Sequence, residues 1–298
     1  MILVTGGTGF VGPHVVHALR AAGHDMRALV RDAESKSAKR LADWGVEVYP
    51  GDVTNAETLR GGVAGCDTVV HLVGIMVRQP EKYERIMIGG TRELVAAAQA
   101  AGVKRFVLMS ALGTSEAHKD VAPYYHAKWE QEQMVAASGI PWVAFRPSFV
   151  FGPDGGMLQL LLKALRLSPV APIVGTKRMQ PIWVDDVAAF YAAAVAAPEP
   201  GNRTYDLVGP DVVSWDELYE RMKRVLGKKR ATFHMPIGLA RAGAAVVERL
   251  PTGIPLTRDA LTMLELEDNV ADPAPATEAF GVNPITLDEQ LRRAVIKK

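Results

Sequence analysis

The sequence predicts an α/β fold, a doubly wound parallel sheet with a smaller, mainly helical C-terminal lobe. Two observations lead to this prediction. Short β-branched runs alternate with Ala- and Leu-rich helical stretches through the first half of the chain, and a glycine stands just past several of those stretches. Strands and helices that repeat with short connections form right-handed βαβ units, which build a parallel sheet with helices on both faces.

The predicted strands of the first half are almost continuously apolar, as strands covered on both faces are. They are Ile2–Thr5, Met26–Val30, Val46–Tyr49, Thr68–Leu72, Arg105–Ser110 and Trp142–Arg146. The helices predicted between them are Val11–Ala22, Ala33–Trp44, Ala56–Ala64, Thr91–Ala101 and Tyr124–Ser138.

After Gly152 the alternation becomes irregular, and prolines interrupt the chain. The patterns there predict two further strands, Pro181–Val184 and Thr204–Val208, and an Ala-rich helix that ends at Ala197. The other helices predicted in this half are Met157–Leu167, Trp215–Leu226, Ile237–Leu250 and Arg258–Glu267.

Composition excludes several classes of protein. With 298 residues, 48% of them hydrophobic, the chain has ample material for a buried core, which excludes general disorder. A net charge of +1 argues against binding to nucleic acid, because phosphate neutralisation needs a basic excess. The lone Cys66 allows no intramolecular disulfide and fits a reducing compartment.

The sequence predicts neither a leader peptide nor a membrane span. The chain opens directly on an apolar run and a glycine turn, and no apolar stretch reaches the roughly 18 residues that a spanning helix needs. We therefore expect a cytoplasmic protein. We also expect no metal site, because His14, His17 and His24 have no accompanying set of cysteines or carboxylates.

Residues 5–12 read Thr-Gly-Gly-Thr-Gly-Phe-Val-Gly and lie between the first strand and the first helix. A turn of this kind lets a pyrophosphate approach bare backbone, while the helix N-terminus supplies oriented N–H groups and partial positive charge. The motif predicts a dinucleotide site formed by Gly6, Thr8, Gly9, Phe10, Val11 and Gly12. The alternative is a glycine turn with a purely structural role.

This motif gives the two parts of the chain different functions. Residues 1–155, with 182–208 returning to them, form the predicted dinucleotide-binding domain. Residues 156–181 and 209–298 form the predicted substrate-binding lobe.

The residues after the second strand bear on the choice of dinucleotide. Asp32 follows Gly12 by 20 residues, the spacing of an acid that binds the ribose hydroxyls of NAD. Arg31 comes directly before it, and a guanidinium there can clamp a 2′-phosphate through paired charge-assisted hydrogen bonds. We expect NADP(H) to be favoured over NAD(H), while a merely solvated helix start remains the alternative.

Tyr124 and Lys128 stand four residues apart on a predicted helix, which places them on one face. A phenol becomes a usable acid or base when a nearby cation favours the phenolate, so we expect Lys128 to lower the pKa of Tyr124. Ser110 ends the fifth strand, at the edge where open α/β sheets bind ligands. These three residues are the predicted catalytic set, although Tyr-x-x-x-Lys also arises by chance on helix surfaces.

With these motifs in order, the chain resembles the short-chain dehydrogenase/reductase superfamily, extended or atypical branch, nearly from end to end. Further stretches carry the resemblance: Gly51-Asp52-Val53, His71-Leu72-Val73-Gly74, Arg146-Pro147-Ser148-Phe149-Val150-Phe151-Gly152 and Trp183-Val184-Asp185-Asp186-Val187. It implies a Rossmann sheet.

The resemblance also implies roles along the cofactor. Asp52 and Val53 border the adenine, and Leu72, Val73 and Gly74 pack along the cofactor. Pro147 and Phe149 approach the nicotinamide. Tyr124 and Lys128 also contact the cofactor, with Lys128 on the ribose.

Within the superfamily the chain is most similar to bacterial relatives of the NAD(P)-binding accessory subunit of respiratory complex I, alpha-subcomplex subunit nine. The supporting stretches are Tyr205–Pro210, Ser214–Leu218, Pro255–Asp259 and Glu267–Val270. The chain departs from the extended pattern at Met87, where extended members commonly carry an asparagine. That departure weakens any inference from sugar epimerases.

Three functions remain open at this stage. The leading one is an NADP(H)-binding reductase-like protein that transfers hydride between a carbonyl and an alcohol, with Tyr124 as acid and base. The alternatives are a non-catalytic accessory or assembly subunit of complex I, peripheral to the inner face of a membrane, and a nucleotide-sugar epimerase or dehydratase. The expected substrate is a small molecule of apolar, quinone- or isoprenoid-like kind, and no basic patch points to a nucleic acid.

Three features have two interpretations each. Arg146 is either a structural ion-pair partner or a ligand contact. Asp185-Asp186 fits a helix N-terminus better than a catalytic pair of carboxylates. The apolar stretch 236–247 packs as a helix or rests on a membrane, and packing is favoured because few cations accompany it.

Overall fold

A computed structural model of the chain describes residues 1–77, 79–198, 201–247 and 257–296. Its strands are β1 Ile2–Thr5, β2 Met26–Val30, β3 Glu47–Pro50, β4 Thr68–His71, β5 Arg105–Met109, β6 Trp142–Pro147, β7 Val150–Phe151, β8 Val170–Ile173, β9 Ile182–Trp183, β10 Arg203–Leu207 and β11 Ala231–His234.

The helices begin and end within a few residues of most predicted bounds. They are α1 Gly12–Ala21, α2 Lys36–Asp43, α3 Ala56–Val63, α4 Pro80–Lys82, a π-helix Tyr83–Gly89, α5 Gly90–Ala100, α6 Pro123–Ala136, α7 Gly156–Leu167, α8 Val184–Ala196, α9 Trp215–Leu226, α10 Ile237–Val247, α11 Arg258–Leu266, α12 Ala274–Phe280 and α13 Leu287–Val295. Within the described ranges, no helix combines the length and apolarity that crossing a membrane requires.

Seven strands form one parallel sheet in the order β10-β6-β5-β4-β1-β2-β3. The predicted doubly wound α/β class, with a largely helical C-terminal part, is confirmed. The chain builds outward from β1 in one direction and from β4 in the other, so the strand order reverses between them. Thr5 and His71 are paired there, at the carboxyl ends of both strands. A crevice at such a point is where open α/β sheets bind ligands.

The described residues divide into two compact units. The first unit comprises Met1–Pro147, Val184–Leu207 and Ala274–Asn283. The second comprises Ser148–Trp183, Val208–Pro273 and Pro284–Lys298, as far as these ranges are described. The functional division into a dinucleotide-binding domain and a substrate-binding lobe stays a prediction.

Apolar side chains on the strands hold the first unit together. Leu3, Val69 and Phe106 are fully buried in one cluster that also takes in residues of α3 and α5. In a second group, the ring of Phe145 contacts that of Phe280 at 5.3 Å between centroids. Burial of each such side chain stabilises the fold by about 2 kcal/mol.

The segment before α5 differs from the sequence prediction of a helix that starts at Thr91. The chain is already helical from Pro80, and Tyr83–Gly89 form a π-helix before α5 begins. Helices of this rare type contain extra backbone per turn and are frequent at functional sites. A Cβ on Gly90 would lie 3.0 Å from Val53 Cγ2, so a glycine permits this close approach.

In the second unit, β8 pairs with β11 in parallel and β7 with β9. Helix α9 has the predicted bounds, because Ser214 and Glu217 form a capping box and Gly227 ends the helix with a φ of 61°. Helix α10 begins at the predicted residue, and Ala240 packs against Leu261 of α11. Residues 248–250 of that predicted helix lie outside the described residues, as do Pro255 and Leu256 of the stretch used for the resemblance.

Candidate functional site

The turn from β1 to α1 closes tightly on itself. The N–H of Gly9 donates to Gly6 O at 3.1 Å, and Gly6 has a φ of 78°. A Cβ on Gly12 would lie 2.4 Å from Gly6 O, and one on Gly6 would lie 2.9 Å from the carbonyl carbon of Leu72. Gly6 and Gly12 are therefore required by contacts within the first unit itself.

Gly9 differs from these two glycines. A Cβ there would meet only one described atom within 4 Å, Gly6 O at 3.3 Å, and Gly9 and Thr8 are exposed. Phe10 is half-buried and Val11 is buried directly before the first turn of α1. The turn at Thr8 and Gly9 thus borders open space, which a Cβ on Gly9 would partly fill.

Arg31 and Asp32 follow β2, beside the turn, and both are exposed. The Asp32 carboxylate accepts the N–H of Glu34 at 2.9 Å, which uses one oxygen in the local turn before α2. Among the described residues, no carboxylate forms an ion pair with Arg31. The arrangement leaves the guanidinium available to an anion at the carboxyl edge of the sheet.

The residues after β3 and β4 also lie at this edge. Asp52 accepts the N–H and the hydroxyl of Thr54, both at 2.8 Å, and Val53 packs against Gly90. The N–H of Leu72 donates to Thr5 O at 2.9 Å, which fixes the β4 turn against the glycine turn.

Lys128 connects β4 and β5 at their carboxyl ends. Its Nζ donates to Met109 O at 2.6 Å and to Val73 O at 3.3 Å. A Cβ on Gly74 would lie 3.3 Å from the same Nζ. The side chain of Lys128 is only 1% exposed, so the fold has buried an ammonium group at the edge where the predicted site lies.

Tyr124 lies beside Lys128, with its ring centroid 5.9 Å from Nζ. Tyr125 faces elsewhere, since its hydroxyl donates to Leu112 O at 3.3 Å in the core. Ser110 follows β5 and is buried, with its Oγ at a long 3.5 Å from Thr114 Oγ1. The fold therefore brings Tyr124 and Lys128 together on one face of α6, next to the strand that Ser110 ends.

The pKa values of this pair depart from the sequence expectation. Burial raises the pKa of the Tyr124 phenol above its ordinary value, and the neighbouring Tyr125 and Tyr83 add to the effect. The expected lowering of this pKa by Lys128 is thus wrong for this structure. The physical reason is burial of the phenol itself, and burial also lowers the pKa of the neighbouring Lys128, to about 7.

A buried polar network behind the edge was not predicted. His71 contacts Thr5 Oγ1 through Nδ1 at 2.6 Å and Thr91 Oγ1 through Nε2 at 2.9 Å, and Gln131 donates to Thr91 Oγ1 at 2.7 Å. Burial, with the Lys128 charge, lowers the pKa of His71 to about 3, so the imidazole is neutral. The network links β1, β4, α5 and α6, and only their long-range packing creates it.

A second unpredicted partner lies one helical turn beyond Lys128. Glu132 is 2% exposed and accepts two hydrogen bonds from Arg146, at 2.8 and 2.6 Å. Arg146 is therefore an ion-pair partner, which decides between its two interpretations. The i,i+4 spacing between Lys128 and Glu132 could have indicated from the sequence that the two lie on one helix face. The Glu132 carboxylate opposes the lowering of the Lys128 pKa by burial.

The remaining predicted residues have separate surroundings. Pro147 ends β6 in the first unit, and its carbonyl accepts the N–H of Leu112 at 3.0 Å. Phe149 belongs to the second unit, where its ring meets Trp215 at 6.3 Å. Asp185 and Asp186 lie in the first turn of α8, where carboxylates stabilise a helix, and Asp185 also contacts His14 at 2.6 Å.

Comparison with known sequences identifies the family. The NmrA-like family matches residues 1–252.

The chain belongs to the NmrA-like family.

This assignment confirms the predicted resemblance to extended short-chain dehydrogenases and places the chain among NAD(P)-binding, reductase-like proteins.

Known relatives of this NmrA-like chain have different activities. The ceramide reductase of Caulobacter vibrioides is 33% identical over 250 residues, 83% of this chain and 77% of that protein. Subunit 9 of the mitochondrial NADH dehydrogenase [ubiquinone] 1 alpha subcomplex of Rattus norvegicus is 27% identical over 308 residues, 97% of this chain and 79% of that protein. The narrower predicted resemblance is thereby confirmed.

A solved structure shares the fold of the NmrA-like chain. It is an NADPH-dependent quinone oxidoreductase of Escherichia coli complexed with NADPH, with a TM-score of 0.78 and 23% identity over 98% of each chain.

The buried ammonium of the NmrA-like site predicts a pH-dependent stability. Its pKa is about 7 in the folded chain against an ordinary 10.5, so between these values only the unfolded chain holds the proton. Folding is then favoured as pH rises through that window. Between pH 6 and pH 10, we expect the free energy of unfolding of the wild type to rise by about 4 kcal/mol more than that of the Lys128→Met variant.

Urea unfolding at both pH values measures this difference. Lys104→Met, at an exposed position, is the control and should show almost none. Parallel pH profiles of Lys128→Met and the wild type would contradict the buried, weakly protonated lysine.

Proposed function

We propose that this chain is an NADP(H)-dependent reductase that converts a carbonyl group of an apolar small molecule into an alcohol. The observation that carries the proposal is the placement of Tyr124 beside the buried Lys128, at the edge where β4 and β5 end. The ceramide reductase among the relatives supports both the reaction class and an apolar substrate.

The phenol of Tyr124 is the proposed acid. When bound, NAD(P)H would supply the hydride for the carbonyl carbon. Tyr124 would donate its proton to the carbonyl oxygen, which becomes the hydroxyl of the alcohol. A raised pKa keeps the phenol protonated before the reaction. Lys128, with a pKa of about 7, then holds a proton that it can return to the tyrosinate at neutral pH.

Ser110 and the glycine turn are the proposed positioning groups. The Ser110 hydroxyl has only a long contact with Thr114, so it can exchange that contact for the substrate oxygen. The pyrophosphate would be held by the turn residues Gly6, Thr8, Gly9, Phe10, Val11 and Gly12. The residues along the rest of the cofactor would be Asp52, Val53, Leu72, Val73 and Gly74. Pro147 and Phe149 would lie at its nicotinamide end.

NADP(H) is the proposed cofactor because of the residues after β2. Arg31 is exposed without a described carboxylate partner, while Asp32 is engaged by the N–H of Glu34. A guanidinium next to the adenine ribose would stabilise a 2′-phosphate through paired charge-assisted hydrogen bonds.

Arg31→Gln should separate the two nucleotides. We expect its affinity for NADPH to fall roughly 10- to 100-fold, the value of a charge-assisted contact, with the affinity for NADH nearly unchanged. Isothermal titration of both nucleotides measures this, and Arg60→Gln, an exposed arginine on α3, is the control. Equal losses for both nucleotides, or a wild type that prefers NADH, would count against the assignment.

Tyr124→Phe should remove turnover and leave cofactor binding intact. We expect NADPH consumption with quinone, isoprenoid and aldehyde substrates to fall at least about 100-fold, as for loss of a general acid, with the NADPH dissociation constant within about twofold. Tyr125→Phe is the matched control, since it loses a hydroxyl bound to Leu112 O and should keep its activity. Unchanged turnover in Tyr124→Phe would reject the role of the phenol.

A non-catalytic accessory subunit is the second candidate, favoured by the likeness to complex I subunit 9 over 97% of the chain. It needs the glycine turn and Arg31 but not Tyr124. NADPH binding without consumption, together with co-purification of respiratory-complex components, would support this candidate against the reductase.

A further inference from the structure

A cluster of exposed cations lies in the second unit, where the sequence pattern predicted no basic patch. Six lysines and arginines fall between residues 221 and 230, and residues 221–247 contain no Asp or Glu. Arg224, Lys228 and Lys229 are exposed around a shallow depression of about 720 Å³ where α9 ends. Glu220 also lines this depression, and its carboxylate pairs with Lys223. No described carboxylate forms an ion pair with Arg224, Lys228 or Lys229.

Backbone contacts bring the end of α7 to the same place. Arg230 donates through Nε to Leu165 O at 3.1 Å and through a terminal nitrogen to Arg166 O at 3.4 Å. Arg166 is exposed, and so is Lys163 one turn earlier. Cations from two helices thus meet at one edge of the β8–β11 pair, which explains why no single stretch of sequence reveals them.

Large apolar side chains are exposed beside these cations. Leu167 directly follows Arg166 and is 75% exposed. Val170 pairs in register with Ala231, and Phe233 projects from the same side of β11 as Ala231, because side chains alternate along a strand. Val170 and Phe233 are 44% and 47% exposed. We call the surface formed by these three residues and the adjoining cations Arg166, Arg224, Lys228 and Lys229 the β8–β11 face.

We propose that the β8–β11 face docks on the surface of a lipid bilayer that contains anionic phospholipid. Cations surrounding protruding Leu, Val and Phe side chains match the two parts of such a surface, the phosphate headgroups and the upper acyl chains. A free phosphate would use the cations alone. A nucleic acid would use cations with stacked aromatic rings, and only Phe233 provides a ring here.

The two contributions act together. Each lysine or arginine close to an anionic leaflet strengthens binding by roughly fivefold, and this attraction weakens as salt screens it. Burial of apolar side chains adds a part that salt does not screen. The docking does not depend on the proposed reaction, since every residue of the β8–β11 face lies in the second unit and none belongs to the proposed catalytic set.

Co-sedimentation of the full chain with vesicles tests the docking. We expect binding to phosphatidylcholine vesicles that contain phosphatidylglycerol and little binding to phosphatidylcholine alone. Combined Arg224→Gln, Lys228→Gln and Lys229→Gln should weaken binding on the order of 100-fold. The control combines Arg60→Gln, Arg92→Gln and Lys104→Gln, which removes the same charge from exposed positions of the first unit and should leave binding unchanged.

A second variant separates the apolar contribution. The double variant Leu167→Ser, Phe233→Ser should weaken vesicle binding roughly tenfold, because it removes apolar surface. The salt dependence of binding should stay, because the cations are unchanged. Thermal unfolding of every variant checks that the fold is retained.

Three outcomes would overturn the proposal. The first is that the wild type binds equally to vesicles with and without phosphatidylglycerol. The second is that the control variant loses as much vesicle binding as the variant of the β8–β11 face. The third is that the wild type binds no vesicles but binds RNA through the same cations. A change in the oligomeric mass of the variants, without any vesicle binding, would instead assign the β8–β11 face to a second copy of the chain.

Discussion

The approach of Gly12 to the backbone of Gly6 and Gly7 is the contact on which the candidate site depends. At 2.4 to 2.5 Å from a Cβ position to three backbone atoms, no side chain fits, so the helix can start directly behind β1 only with glycine here. This start places the first turn of α1 at the carboxyl edge of the sheet, directly after β1. The β4 turn then packs against Gly6, and the other site residues take their positions from these two turns.

A buried lysine and an ion pair with a buried carboxylate distinguish this edge from an ordinary sheet edge. The Lys128 ammonium and the Glu132–Arg146 pair lie in or near the core, where desolvation makes charges expensive unless they are paired and hydrogen-bonded. Glu132 and Arg146 neutralise each other. Within the described residues, the hydrogen bonds of Lys128 go to carbonyl oxygens, and burial lowers its pKa. Groups with strongly shifted pKa values cluster at functional sites, which is why Lys128 and Tyr124 carry the proposed chemistry.

Local patterns predicted most of the sheet and the glycine turn, because strands, helix ends and such turns are encoded within about ten residues. The order Ser110, Tyr124, Lys128 is likewise readable along the chain. What could not be read depends on distant residues. The His71 network joins four elements, and the β8–β11 face joins two segments separated by some sixty residues. The π-helix at Tyr83–Gly89 has no signal in the local pattern that we read as a helix from Thr91. The direction of the Tyr124 pKa failed for the same reason, since burial is a property of the fold.

We propose that the open space at Gly9 binds the phosphates of a pyridine dinucleotide. Isothermal titration of NADPH and NADH into the wild type and Gly9→Ala tests it most directly, because the added methyl meets only Gly6 O at 3.3 Å and should leave thermal stability nearly unchanged. We expect tight binding of one nucleotide to the wild type and a loss of at least about tenfold in the variant. A wild type that binds neither nucleotide, or a variant that binds as well as the wild type, would contradict the account.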